Sequence, residues 1–575
     1  MNVIGFKEAK CKNCYKCVRT CEVKAIQVKN EQAQIMNDMC ILCGHCLEAC
    51  PQNAKTFISD LEKVKDYIAC GHKTIISIAP SYAGIMKYKK AGQIVTALKK
   101  LGFYQVRETA EGAVYVTREY ERLIKEGKRR NIITTSCPSA NELIEIYYPS
   151  LVADMAPVVS PMIAHGKMLR KLFGEEVKIV FLGPCIAKKR EAEGDERTRG
   201  YIDAVINFEE MENWLQKEGI HITELDESEF DNSNPEVNRL YPITSGVISS
   251  VIAMNQGVEA KQYRKFYVHG IKNCMELFES MERGEVEGCF IEANICNGGC
   301  IKGPAVNRKD LSRFKVKLDM EERIPKQAPE ERKFTELSRE ELGKEFHDRA
   351  PNDPIPTEEE IKKILRKIGK VKKEQELNCG ACGYSSCREK AIAVYQGKAE
   401  LTMCIPYMHE KAQSMANVVL DTTPNIIMIV DADMKIVEFS GAATRYFHIT
   451  RAEALTKYLY ELIDHTDFED VMLTHENIYG KKVDYPDRNL STLQNIVYIE
   501  GQNNVLGIFQ DVTQDEEKKQ QAYRVKVETI EMAQKVIDKQ MLVAQQIAGL
   551  LGETTAETKV TLTKLRDTIL NDGEE

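Results

Sequence analysis

Within its first 55 residues the chain carries Cys11-x2-Cys14-x2-Cys17-x3-Cys21 and then Cys40-x2-Cys43-x2-Cys46-x3-Cys50-Pro51. A repeat of this spacing is a metal-ligand pattern, and eight thiols so arranged argue against zinc. The chain holds nineteen cysteines, none after Cys404. Outside a secretory setting that number means metal, not disulfides. At 575 residues several domains are expected, at about 150 residues each. The net charge of −8 comes with lysines and arginines interspersed among acids. There is no basic stripe to suggest a nucleic-acid partner. The amino terminus lacks a basic start followed by an apolar run, and no stretch approaches ~20 apolar residues. Neither a signal peptide nor a membrane span is expected, and a cytoplasmic, anaerobic or microaerobic setting is.

The two cysteine runs are similar to those of bacterial two-cluster ferredoxins, in which the fourth cysteine of each run serves the other cluster. The resemblance implies one [4Fe–4S] cube on Cys11, Cys14, Cys17 and Cys50, and a second on Cys40, Cys43, Cys46 and Cys21. His45, inside the second run, reads as a surface residue.

Four further cysteines lie far apart, each after a short apolar run that reads as a buried strand. Asn131–Thr135 leads to Ser136-Cys137-Pro138, Lys178–Leu182 to Gly183-Pro184-Cys185, and Gly288–Ile291 to Glu292-Ala293-Asn294-Ile295-Cys296-Asn297-Gly298-Gly299-Cys300. Residues 60–305 alternate such runs with helical patterns, which argues for parallel α/β layers. Ligands of open α/β sheets sit beyond the carboxyl ends of the strands. Cysteines delivered there can converge on one cube, which takes four thiolates. Cys70, Cys274 and Cys289 have no partner at metal spacing and read as structural.

The three loops resemble the active-site signatures of [FeFe]-hydrogenases, over roughly residues 74–305. The resemblance implies that Cys137, Cys185, Cys296 and Cys300 hold the cube of an H-cluster, with Cys300 bridging to a two-iron subsite. Lys188 matches the lysine that meets a cyanide of that subsite, and a cation suits an anionic ligand. Ala79-Pro80-Ser81, after the run Thr74–Ile78, and Pro184 match pocket loops. Site roles are implied for Ser136, Lys188 and Glu191. Departures from the family pattern bear on function. The family's proton-carrying cysteine before Cys137 is here Ser136, whose hydroxyl is a far weaker acid than a thiol. The second-loop methionine is replaced by Gly183, and the third-loop methionine by Asn294 or Ile295. Glu111 is a loose match to a proton-path glutamate.

Residues 306–376 read as a charged connector broken by Pro325, Pro329, Pro351, Pro354 and Pro356. Its charge reads as solvated surface. Thr357 is placed to cap a short helix, Ile361 to Ile368. Cys379-x2-Cys382-x4-Cys387-x16-Cys404 resembles a small four-cysteine [4Fe–4S] module. From 411 to 515 the chain reads as hairpin (Ile426–Val430, Lys435–Phe439), helices, hairpin (Ile496–Ile499, Val505–Phe509). That order resembles a PAS domain. From 516 a long helix or helix pair follows. Tyr523, Val527, Ile530, Ile537, Met541, Ala544, Ala548 and Leu551 recur at helical steps, with Gln534 the polar exception and Gly552 a break. That is a seam for a partner helix.

The fold class expected is multidomain α/β. It comprises a two-cluster ferredoxin-like domain (1–59), an H-cluster domain (60–305), the connector (306–376), a four-cysteine domain (377–408), a PAS domain (411–515) and a helical segment (516–575). The expected function is a sensory hydrogenase that registers hydrogen or redox state. Its expected partners are a ferredoxin or similar carrier, a second copy of the chain, and a signalling kinase or phosphatase. The rivals are a ferredoxin-linked hydrogenase of low activity and an electron-transfer protein without the two-iron subsite.

Overall fold

The structure, a computed structural model, describes residues 3–30, 32–232, 235–254, 263–306, 312–322, 335–548 and 555–571. Pro325, Pro329, Leu551 and Gly552 lie outside the described residues. The chain divides into two compact units, Met1–Tyr407 and Met408–Glu575.

The first unit opens with a small cysteine-rich fold. Strand Ile4–Phe6 pairs antiparallel with Lys55–Phe57, and Ile26–Lys29 forms a hairpin with Gln32–Ile35. The two cysteine runs take the same local form. Each enters a five-residue helix, Lys16–Thr20 or His45–Ala49, through a left-handed residue, Tyr15 or Gly44. Gly44 also has to be small, because a Cβ there would lie 2.2 Å from Pro304 Cβ.

Two parallel sheets follow. One has the order Gln105–Glu108, Thr74–Ile78, Lys178–Leu182, Ala204–Ile206, and the other Arg264–His269, Cys289–Asn294, Ile132–Ile133. Thr74–Ile78 and Cys289–Asn294 are buried along their whole length. Covered on both faces, such strands read as unbroken apolar runs. The parallel α/β layers expected from sequence are present, and the cysteine loops come from two separate sheets. Ile78 and Leu182 of the first sheet lead to Ser81 and Cys185, while Ile133 and Asn294 of the second lead to Cys137, Cys296 and Cys300. Helix Ala110–Glu126 packs on Pro161–Phe173. Gly112 permits this, since a Cβ there would come within 2.2 Å of Pro161 O.

The connector departs from a merely solvated strand of charge. Helix Arg313–Glu322 buries Val316 and Met320 against Leu240, Ile243 and Ile301. Lys344 is buried and pairs with Asp195 at 2.8 Å. Arg349 pairs with Glu142 at 2.9 Å. In sequence these charges have no visible partners, because the acids they meet lie about 150–200 residues away. Thr357 does cap helix Glu358–Lys367, with Glu360 completing a reciprocal box. That helix packs on Cys387–Tyr395.

The second unit is a five-stranded antiparallel sheet in the order Ile436–Phe439, Ile426–Val430, Asn504–Asp511, Leu490–Ile499, Ile478–Tyr485. Phe439, Phe468 and Phe509 fill its core. Ser440 caps helix Gly441–Phe447 through Ala443 N at 3.2 Å. The edge strand Ile478–Tyr485 was missed in sequence because its side chains are mostly exposed, which leaves no apolar alternation. Helix Thr513–Ala548 follows, and helix Thr555–Asn571 packs on it. The seam residues Val527, Ile530, Gln534, Ile537, Met541 and Ala544 are half-buried here, while Tyr523 is exposed. Among the described residues, no helix is long and apolar enough to cross a membrane.

Candidate metal centre

Cys137 is the amino-terminal cap of helix Pro138–Tyr147, with Pro138 in the first turn. Cys185 follows the strand Lys178–Leu182 by three residues, and Cys300 opens a short turn, Cys300–Lys302. The turn between Cys296 and Cys300 requires its glycines. Gly298 and Gly299 have φ of +96° and +90°, and a Cβ on Gly299 would sit 2.4 Å from Pro242 O. The structure brings the four cysteines within electrostatic reach of one another. Burial raises the Cys185 thiol to about 11, with a further push from Cys137. Burial also raises Cys296 and Cys300, each facing Cys137 and Cys185. Cys137 is raised by burial, opposed by backbone amides and by Lys188.

The three residues assigned site roles meet beside this set. Lys188 Nζ donates to Glu191 Oε2 at 2.7 Å and to Ser136 O at 3.4 Å. Ser160 Oγ donates to the same Glu191 oxygen at 3.0 Å. Lys188 is therefore a neutralised cation, not an isolated one. The Ala79-Pro80-Ser81 loop joins them, with Ala79 N donating to Leu182 O at 2.8 Å. Ser81 is fully buried, yet its Oγ has no hydrogen-bond partner, and neither has Glu191 Oε1. Buried polar groups are ordinarily satisfied. Four convergent thiols, one ammonium and unsatisfied polar atoms are a donor set that fits a cube with a polar, anionic two-iron group beside it.

Two substitutions acquire a structural account. At Gly183 a Cβ would meet the Phe181 ring at 2.5 Å, so an aromatic ring occupies the space where the family has methionine. Asn294 turns its amide to Glu292 Oε1 at 3.1 Å, while Ile295 is fully buried. Sequence reading missed Tyr120. Its hydroxyl lies 3.1 Å from Ser136 Oγ and accepts Thr135 N at 2.9 Å. Burial raises this phenol, so two weak acids stand in series. Glu111 is held elsewhere. Arg107 grips both its oxygens at 2.9 and 3.0 Å, and His165 Nε2 is 3.2 Å away.

Glu292 is 1% exposed, and burial pushes its carboxyl up to about 7 despite donors from Ile248 N (3.0 Å) and Asn294. The native chain holds a proton there that the unfolded chain releases near ~4.3. The stabilisation is full below that value and is lost as pH rises toward about 7. Glu292→Gln should remove roughly 3 kcal/mol of the stability decline between pH 4.5 and 8. Denaturant unfolding at both pH values measures this, and an unchanged decline contradicts it.

The other cysteines also gather. Cys43 faces Cys21 and Cys40, Cys46 faces Cys43, Cys40 and Cys21, and Cys17 faces Cys50 and Cys11. Cys14 is exposed. Cys379, Cys382, Cys387 and Cys404 line one small cavity. The sets are linked. Cys296 faces Cys43 as well as its own set. Tyr384, beside Cys382, faces Cys21, and Gly383 packs on helix Lys16–Thr20, its Cβ position 2.8 Å from Val18 Cγ1. The set around Cys21 thus stands between the other two. Among the described residues, no three His, Cys, Asp or Glu side chains close on one point as a single metal ion would require.

Residues 72–304 match the iron-only hydrogenase large subunit, C-terminal domain. Residues 4–51 match a 4Fe-4S dicluster domain, 375–406 an Fe-S cluster domain and 415–511 the PAS fold. The chain is a multidomain iron–sulfur protein built round an iron-only hydrogenase large-subunit domain and carrying a PAS domain. It is 26% identical over 391 residues to iron hydrogenase 1 of Clostridium pasteurianum, covering 51% of this chain and 68% of that one. It is 25% identical to the periplasmic [Fe] hydrogenase large subunit of Nitratidesulfovibrio vulgaris, over 37% of this chain and 61% of that one. It is also 20% identical to cytosolic iron-sulfur assembly component 3 of Bos taurus, over 48% of this chain and 72% of that one. A solved [FeFe]-hydrogenase from Chlamydomonas reinhardtii matches with a TM-score of 0.40 and 19% identity, over 46% of this chain and 88% of that one.

Proposed function

We propose that this protein is a sensory hydrogenase of the cytoplasm, one that registers hydrogen or the electron pool and turns over slowly. The observation that carries this is the pairing of a retained metal pocket with a weakened proton donor. It is supported by the mutual electrostatic interaction of the Cys137, Cys185, Cys296 and Cys300 thiols and by the Lys188–Glu191 pair at 2.7 Å. Where a thiol would carry protons, Ser136 is bonded to Tyr120. An H-cluster bound here would supply the reversible splitting of hydrogen into protons and electrons. The chain's own groups then limit how fast a proton arrives, since neither hydroxyl gives one up readily near neutral pH.

In this reading Ser136, Lys188 and Glu191 are the site residues. Ala79, Pro80, Ser81 and Pro184 wall the pocket, and sixteen cysteines hold four cubes, including those at Cys379–Cys404. Electrons pass between the pocket and a carrier of ferredoxin type through the set around Cys21. Helix Ile405–Thr422 begins at the residue after Cys404. Extra negative charge on a cluster at its amino terminus favours the helix dipole, so oxidation state can alter the helix end. The PAS unit and the helices after it would pass that change on as a dimer, to a kinase or phosphatase.

Infrared spectroscopy of protein matured with the two-iron subsite tests this. Fe–CO and Fe–CN bands that shift under hydrogen, together with slow turnover, are expected. Bands that are absent favour the electron-transfer reading, which the likeness to an iron–sulfur assembly component also fits. Turnover as fast as that of thiol-bearing hydrogenases defeats the sensory one.

A further inference from the structure

Two lysines in the wall of the Cys379–Cys404 cavity have no part in the function above. Lys390 is 2% exposed and Lys370 is 8% exposed. Lys390 Nζ donates to Leu401 O at 3.0 Å, and Lys370 Nζ to Gln375 O at 2.7 Å. Both line the cavity with the four cysteines, and no Asp or Glu lines it. Lys390 faces Cys382, Cys387 and Cys404. A buried ammonium without an anion costs several kcal/mol. Among the described residues, the thiols are the groups placed to supply that negative charge.

The other sites are compensated less. The two ferredoxin-like sets share one buried lysine, Lys55, which acts on Cys17, Cys40 and Cys46, and the half-buried Lys24 acts on Cys21. Arg190 also faces Cys40 but is paired with Glu142. Lys188 is spent on Glu191. Net charge, hydrogen bonding and exposure set the potential of an iron–sulfur cluster. Two buried lysines held in the wall by carbonyl oxygens, with no carboxylate among the lining groups, favour the form with one more electron, whose added negative charge offsets the burial that works against the Lys390 ammonium.

We infer that Lys390 and Lys370 are positioning residues that make the Cys379–Cys404 cluster the resting place for an electron within this chain. The inference rests on the reading that these four cysteines hold a [4Fe–4S] cube. One electron leaves a reduced cluster on the set around Cys21, which becomes oxidised, and the Cys379–Cys404 cluster is reduced by one. Tyr384, packed between Cys382 and Cys21, marks the approach. The arrangement makes this cluster a store whose charge state outlasts single encounters at the hydrogen-facing pocket.

The test uses the full chain reconstituted with iron and sulfide, poised with dithionite and read by electron paramagnetic resonance. The wave of this site is the one missing from Cys404→Ala, which should also hold about four fewer irons. In the unaltered chain that wave should lie above the ferredoxin-like ones. Lys390→Met should lower its reduced-to-oxidised ratio at fixed potential by at least about tenfold, a shift of 59 mV for one electron. Lys370→Met should lower it in the same direction, and Lys390→Arg should leave it in place. If Lys390→Met loses iron, Lys370→Met decides alone. An unshifted wave with full iron content, or a wave below the ferredoxin-like ones in the unaltered chain, overturns the inference. A Cys404→Ala chain that keeps every wave and all its iron overturns instead the reading beneath it.

Discussion

In protein matured with the two-iron subsite, Ser136→Cys should raise hydrogen turnover by about 10²-fold or more, within the range that a positioned acid–base group contributes. The position is already built for such a group. Ser136 precedes Cys137, a ligand in the proposed reading, its carbonyl is 3.4 Å from Lys188 Nζ, and its side chain sits 3.1 Å from the Tyr120 hydroxyl. A thiol releases its proton near ~8.5, whereas a serine hydroxyl does not ionise at working pH. The gain should therefore appear in turnover, with the infrared bands unchanged in number. Ser136→Ala should cost little, because the hydroxyl contributes little to begin with. Tyr120→Phe should slow the Ser136→Cys protein again if the phenol links the site to the interior beyond it. A Ser136→Cys protein with intact bands and an unchanged rate would mean that proton supply is not what limits this pocket.

The parts of this site legible in sequence are those fixed by spacing along the chain. Cys296-x3-Cys300 with its paired glycines is a local device, and its backbone geometry follows from residues that touch one another in sequence. The strand before Cys185 was legible because burial of Ile179–Leu182 leaves an unbroken apolar run, as it does for the start of the strand before Cys296. What sequence hid was set by distance. Tyr120 reaches Ser136 across a helix and a strand, so nothing local marks it. Phe181 looks like any strand residue until the space beside Gly183 is measured. The division into two sheets could not be read from the runs themselves, since each run looks alike whichever neighbour it pairs with. The packed connector was misread for a related reason: Lys344 and Arg349 look solvated until Asp195, Glu142 and Glu145 are brought up from far upstream.

Glu111, a loose match in sequence to a proton-path glutamate, sits in a buried ion pair, and it carries the other large expected effect. Here Arg107 and Glu111 form a bidentate pair with both side chains almost wholly buried. His165 closes the third side and continues through Ser77 Oγ at 2.8 Å to Thr109 at 2.7 Å. Burial works against the charge on Glu111, but His165 and Arg107 hold its carboxyl below the ordinary value. Arg107→Met should thus destabilise the first unit by about 3–5 kcal/mol, the usual consequence of stranding one member of a buried pair. The double change Arg107→Met with Glu111→Leu should recover much of that loss, because no unpaired charge is left inside. Denaturant unfolding followed by signals from the first unit distinguishes these outcomes. If Arg107→Met costs under about 1 kcal/mol, water already reaches Glu111. A proton route through this glutamate would then be open again, and the slow turnover expected of the serine-bearing pocket would need another cause.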